Sequence, residues 1–183
     1  MVGKQKLSKS EVSLTLELDE LFDFDFTGHE ALRAEIAESI LDTIVERTVD
    51  DGRGVNGRKF KIYDKDYAIE KGVPRSAVDL YLSGDMMETI EDRSDSVNTL
   101  KLQVKEGVDT LKALNHNTKK DSVNKLPKRE FMGIQKKEIN RIKREYRSEF
   151  EAATEPEVEE EEQTADQFLE QATDAQLFEA LFG

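Results

Sequence analysis

Cysteine and tryptophan are absent from the 183 residues, and histidine occurs only as His29 and His116. Lack of cysteine removes disulfides, thiolate metal sites and a cysteine nucleophile together, and an origin in a reducing compartment is expected. A transition-metal site would have to be built largely from carboxylates, so no metal is expected. The missing tryptophan, with no aromatic-rich basic strand, argues against a stacking platform for single-stranded nucleic acid. No run of roughly 18 apolar residues occurs, the length a membrane-spanning helix needs. The lysine-bearing start MVGKQKLSKS is followed by no apolar stretch of the signal-peptide kind. A soluble chain without a signal peptide or membrane partner is expected. Apolar residues make up 37% of the chain, below the roughly 45–50% usual for globular domains. Part of the chain should therefore lie outside any core.

Charge shows which part. The net charge of −13 is unevenly spread, because residues 151–183 hold 11 of the 40 acidic residues and no Lys or Arg. That leaves 29 acidic against 27 basic residues before Glu151, a net of −2. Within this body, residues 101–147 carry 14 Lys or Arg against 6 Asp or Glu, while the first hundred residues are acidic. Such asymmetry concerns partners and steering, not fold.

Two segments alternate with a period of two. Val12, Leu14, Leu16 and Leu18 interleave with Ser13, Thr15 and Glu17, and Leu100, Leu102 and Val104 with Thr99, Lys101 and Gln103. Each is expected to be a strand with one buried face, the second ending at a Glu106-Gly107 turn. From Gly28 to about Thr48, Leu32, Ile36, Ile40 and Ile44 recur every fourth residue, which predicts a long amphipathic helix. DDGRGVNGR (50–58) breaks that pattern and reads as loop. Tyr63 to Gly72 suits one or two helical turns before Pro74. Met86, Met87 and Ile90 predict a short helix with Ser83 or Asp85 as its N-cap. Val108 to Leu114 fits a third strand or a short helix equally. From Gln135 to Phe150, Ile139, Ile142 and Tyr146 sit at helical spacing in a basic helix. We expect an α+β domain over residues 1–150, a small antiparallel sheet packed with one long and several short helices. Residues 151–163 (with EPEVEEEE) should form an acidic linker, and residues 164–183 a short amphipathic docking helix.

No catalytic, cofactor-binding or metal-ligating set stands out, and the chain is not expected to be an enzyme. Asp19, Glu20, Asp23 and Asp25 alternate with Phe22, Phe24 and Phe26, which suits a strand or turn with rings inward better than a cation loop, and EF-hand spacing is not met. Gly52, Gly54 and Gly57 follow a helix and lack the G-x-x-x-x-G-K-[ST] pattern of a phosphate loop. Nothing singles out Asp64 and Asp66 as an acid–base pair, and no Ser/His/Asp signature is present. The basic run Lys136 to Arg147 is the best nucleic-acid candidate, although a solvated or protein-facing surface suits it better. At the other end of the chain, Phe168 and Leu169 with Ala165 and Ala172, followed by Leu177, Phe178, Leu181 and Phe182, form the expected partner-binding surface. An apolar helix on an acidic tether either folds back or lies in a groove of another chain, and a self-repelling tether suits reaching.

Between Lys59 and Ile90 a basic loop is followed by Tyr63, Tyr67 and Lys71-Gly72, and then by VDLYLSGDMMETI with Leu82, Ser83 and Gly84. Further on comes LPKREFMGI, with Pro127, Arg129, Phe131 and Gly133. In order and spacing these pieces resemble the tailed-bacteriophage virion-morphogenesis or tail-completion family, over roughly residues 28–150. The chain departs from that pattern at Lys128 and Glu130, where Ala and Pro are common, and in its acidic tail. The resemblance implies a small α+β structural protein that assembles as a ring, a hexamer, in the neck where head joins tail. Its partners would be itself and the connector, neck or tail-tube and terminator proteins of the virion, assembled in the host cytoplasm, with no cofactor and without direct nucleic-acid binding. In the matched residues Pro127 would fix a turn, Phe131 and Ile134 would fill the core, and Arg129 would hold a backbone carbonyl or an acidic neighbour. The alternative expectation is a regulatory or nucleic-acid-binding module using helix 136–147.

Overall fold

Four antiparallel strands form the sheet on which the protein is built, in the order β1-β2-β4-β3. The computed structural model describes residues 4–7, 11–78, 85–107, 110, 113, 114, 116 and 129–154. The chain divides into two compact units, Met1–Ala153 and Thr154–Gly183. The expected docking helix and residues 155–163 of the expected linker lie outside the described residues, whereas the linker's first four residues, 151–154, are helical and not extended.

Strands β2 (Val12–Glu17) and β4 (Thr99–Val104) are the two read from their alternation, and they pair at the centre with Leu14 opposite Leu102 and Leu16 opposite Leu100. Val12, Leu14, Leu16, Leu100, Leu102 and Val104 are all buried. Burying such a side chain stabilises a fold by about 1.5–3 kcal/mol, so their shared face sets which side of the sheet receives the helices. The outer strands were not anticipated. β1 (Lys4–Leu7) pairs with β2, Lys4 facing Thr15, and the three-residue β3 (Ile90–Asp92) pairs with β4. Ile90, expected at the end of a helix, is thus a strand residue, and the helix before it is the single turn α4 (Asp85–Glu88). Pairing with Val104 at the sheet edge overrides the helical spacing of so short a segment.

After β2 the chain turns at once into α1 (Leu18–Phe22), which stops where Asp23 adopts a left-handed conformation, φ 56°. Phe22 and Phe26 point inward as expected, with Phe24 half-buried, but Asp19, Glu20 and Phe22 lie on a helix where a strand or turn was expected. The long helix α2 (Glu30–Val49) buries Ile36, Ile40 and Ile44, the residues of its four-residue repeat, while Leu32 is only partly covered. α3 (Lys65–Lys71) is the short helix expected before Pro74, closed by Gly72.

The basic C-terminal helix is two helices, α5 (Lys136–Glu145) and α6 (Arg147–Thr154), separated at Tyr146. Neither Gly nor Pro marks this break. It lets α5 bury Ile139 and Ile142 while α6 brings Phe150 to the rings of Phe22 and Phe24, at centroid distances of 5.7 and 5.0 Å. Of the segment left open between strand and helix, Thr110, Ala113 and Leu114 are helical. The architecture is a small α+β domain.

Candidate functional site

Tyr63 and Tyr67 lie at the start of α3 and one turn into it, and their rings meet edge to face at 5.1 Å. Asp64 sets up that helix by accepting a hydrogen bond from the Asp66 backbone N–H, 3.0 Å, at its N-terminus. The Asp64 carboxylate thus serves as the N-cap of α3. Tyr63 is fixed from both sides of its peptide, since its N–H donates to the Arg75 carbonyl and its own carbonyl accepts from Arg75 Nε, both at 3.0 Å.

Onto this pair comes Arg129, 66 residues later in the chain. Its guanidinium carbon stands 5.1 Å from the centre of the Tyr63 ring, a cation–π arrangement. Its Nη2 reaches the Lys61 carbonyl at 3.4 Å, the carbonyl-holding role expected of it. Phe131, Met132 and Ile134 are fully buried beyond it. The glycine loop 52–57 packs alongside, with the Val55 N–H donating to the Glu130 carbonyl at 2.8 Å. At Gly52, φ 59°, a Cβ would lie 2.4 Å from the Val78 carbonyl oxygen. The loop's glycine here serves a close approach of two backbones, so the segment has a packing role that a phosphate cradle does not require. Tyr63, Tyr67, Arg129, Phe131 and Gly133 are thus brought into one region, whereas Leu82, Ser83, Gly84 and Pro127 lie outside the described residues.

Sequence reasoning missed the residue that ties this region to the long helix. Arg47, near the end of α2, donates from Nη2 to the Phe131 carbonyl at 2.8 Å and the Gly133 carbonyl at 2.7 Å. A signal was present, because Arg47 follows Ile40 and Ile44 at intervals of seven and three and so shares their buried face.

Two of the grooves that the described residues line around this core exceed 500 Å³. A groove of about 770 Å³ has Phe60 and Val78 in its floor and Ile62, half exposed, at its edge. Asp50 and Asp51 line it from the end of α2, and Lys59 lines its other side. A second groove, about 530 Å³, runs between α2 and α5 and is lined by Glu35, Glu38, Asp42, Glu46, Glu145 and Arg141. Tyr146 closes it, and burial, followed by the charges of Glu145 and Glu35, raises its phenol above the ordinary tyrosine value.

The basic helix contributes less free positive charge than its sequence suggests. Arg141 donates to Thr43 at 2.9 Å and approaches Glu46 at 3.9 Å, Lys143 stands 5.8 Å above the Phe22 ring, and Arg147 pairs with Glu151 at 2.6 Å. Among the described residues no His/Asp/Glu group is arranged to hold a metal ion, and no helix is long and apolar enough to cross a membrane. The Phe168, Leu169, Leu177, Phe178, Leu181 and Phe182 surface lies outside the described residues. No family model, curated protein or solved structure matches the chain.

Proposed function

We propose that this chain is a structural subunit of a tailed-bacteriophage virion, joining head to tail or completing the tail in the neck through protein–protein contacts in a ring. One observation carries the proposal. The two stretches that resemble the tail-completion family, around Tyr63 and around Arg129, are far apart in sequence yet close into one packed unit through the Tyr63–Arg129 contact. The small α+β domain also agrees with the architecture the resemblance implies.

On this reading the matched residues have structural roles. Arg129 joins Lys61 and Tyr63 to the segment entering α5, and Phe131 and Ile134 seal the core beneath it. The neck partners would be a second copy of the chain and the connector, terminator or tail-tube proteins. The nucleic-acid alternative relies on a cationic face over 136–147. Arg141 and Lys143 on α5 and Arg147 at the start of α6 contact protein groups, while Lys136, Lys137 and Arg144 are exposed, so part of that face is committed within the domain.

Native mass spectrometry of the full chain tests the proposal. A closed ring, with six subunits as the expected number, supports it. A monomer that binds duplex DNA with an affinity falling steeply with salt would overturn it in favour of the alternative.

A further inference from the structure

We propose that the exposed acidic row of α2 docks on the exposed basic row of α5 in a second copy of this chain. The inference rests on the self-assembly reading above and names the two surfaces through which subunits would join.

The acidic row consists of Glu35, Glu38, Asp42 and Glu46, all exposed. At i, i+3, i+7 and i+11 they form one line along the helix, about 16 Å long at 1.5 Å per residue. The two cations of α2 are engaged elsewhere. Arg33 is held by Asp92, Ser94 and the Thr99 carbonyl, and Arg47 by Glu138 and the carbonyls of Phe131 and Gly133. Glu46 has Arg141 at 3.9 Å, whereas Glu35, Glu38 and Asp42 make no ion pair among the described residues. Like charges one turn apart on a helix repel, and an opposing cationic surface would relieve them.

The basic row is Lys136, Lys137, Asn140 and Arg144 on α5, again all exposed. Ile139 and Ile142 anchor the other side of this helix in the core, so the row is turned away from its own domain. It is about 12 Å long, and its three cations make no ion pair among the described residues.

Charge selects the pairing. Each row repels its own kind and attracts the other, and the two have similar lengths. Both are fixed on helices, so little further ordering is needed for them to meet. Contact between two different patches is the heterologous kind from which rings are built.

Full-length proteins test this by sedimentation velocity and native mass spectrometry: wild type, E38K/D42K, K137E/R144E, and the quadruple variant with all four changes. Circular dichroism and melting temperature serve as folding controls. Wild type is expected to assemble, and to do so at least tenfold more weakly when salt rises from about 0.1 to 1 M and the screening length falls from about 10 to 3 Å. Each reversal alone should remain monomeric, since like charges then face each other. If a reversal does not fold, E38Q/D42N or K137Q/R144Q takes its place, with weakened assembly expected. An equimolar mixture of the two reversals, and the quadruple variant by itself, should assemble again, because opposite charges meet at every contact. Reversals that both assemble as wild type does would reject this contact and leave the ring-forming role standing. So would a mixture and a quadruple variant that fail to recover what the folded single reversals lose. Loss in only one of the two reversals would assign the affected row to another partner, such as residues 151–183 for the basic row, and overturn the proposal. A monomeric wild type would reject the contact together with the self-assembly reading, and duplex-DNA binding by that monomer would favour the nucleic-acid alternative.

Discussion

Arg47 Nη1 lies 2.8 Å from Glu138 Oε2, with the arginine side chain 5% exposed and the glutamate 12%. The two residues are 91 positions apart. Glu138 Oε2 also accepts the Gln135 backbone N–H at 2.7 Å, closing the first turn of α5, while the other arm of Arg47 holds the two carbonyls before that turn. One side chain thereby joins α2, the 131–134 segment and α5. Burying two charges costs desolvation that their attraction offsets only when every donor and acceptor is used. The value of this pair lies in fixing where α5 begins.

Replacing Arg47 by Ala should cost about 3–5 kcal/mol, because the glutamate and two carbonyls lose their donor inside the protein. Glu138→Gln, which keeps an oxygen for the Gln135 N–H, should cost less, about 1–2 kcal/mol. Urea denaturation of both variants checks the order. An Arg47→Ala protein as stable as wild type would mean that the network is dispensable.

Asp25 should titrate far below an ordinary aspartate. The Asn98 side-chain amide, then the Thr27 backbone N–H and hydroxyl, donate to its carboxylate and lower its pKa from 3.8 to about 2. A pKa that is lower when folded means stabilisation that is present above about pH 4 and lost as pH falls towards 2. Carboxyl-detected NMR should place the midpoint at about 2 and move it upward in Asn98→Ala. An unchanged midpoint in that variant would assign the shift elsewhere.

Two glycines with left-handed backbones should respond differently to alanine. Gly72, φ 71°, has no atom within 4 Å of a built Cβ, whereas at Gly52, φ 59°, the Cβ would strike the Val78 carbonyl oxygen. Gly72→Ala should cost only the backbone conformation, roughly 1–2 kcal/mol. Gly52→Ala adds a clash between two backbones and should cost on the order of 3 kcal/mol or more. Equal melting temperatures for the two variants would contradict the close approach.

Phe150 packs against Phe22, Phe24 and Phe26 at centroid distances of 5.7, 5.0 and 6.2 Å. Because Phe150 is only partly buried, its truncation to Ala should cost about 1–3 kcal/mol, less than for a fully buried ring. Near-ultraviolet circular dichroism should lose intensity while the far-ultraviolet signal stays close to wild type. A loss of helix throughout the protein would show that α6 supports far more than this cluster.

Elements with a strong local period were legible in the sequence, and those shaped by their neighbours were not. β2, β4 and α2 could be read directly because water on one side and core on the other impose a period of two or about four. β1 carries Lys4 and Lys6 in its four residues, so no apolar alternation marks it in the sequence. β3 is too short for any period. Tyr146 fits the helical spacing on both sides, so the break between α5 and α6 had no local mark. For the site, motif order singled out Tyr63, Arg129 and Phe131 without indicating that Arg129 meets Tyr63, and Arg47 went unremarked because an arginine between helical turns is usually solvated.

By itself the sequence determined which faces of β2, β4 and α2 are apolar, where the chain must turn, and that negative charge is concentrated from Glu151 onward. These are consequences of residue type and spacing within a few turns of chain. Only the tertiary structure decided that Arg47 caps the 131–134 segment, that Arg129 covers Tyr63, and that Phe60, Ile62 and Val78 frame an open groove. A carbonyl, carboxylate or ring meets its partner in these cases across tens of residues, and the packing of the whole domain selects that partner.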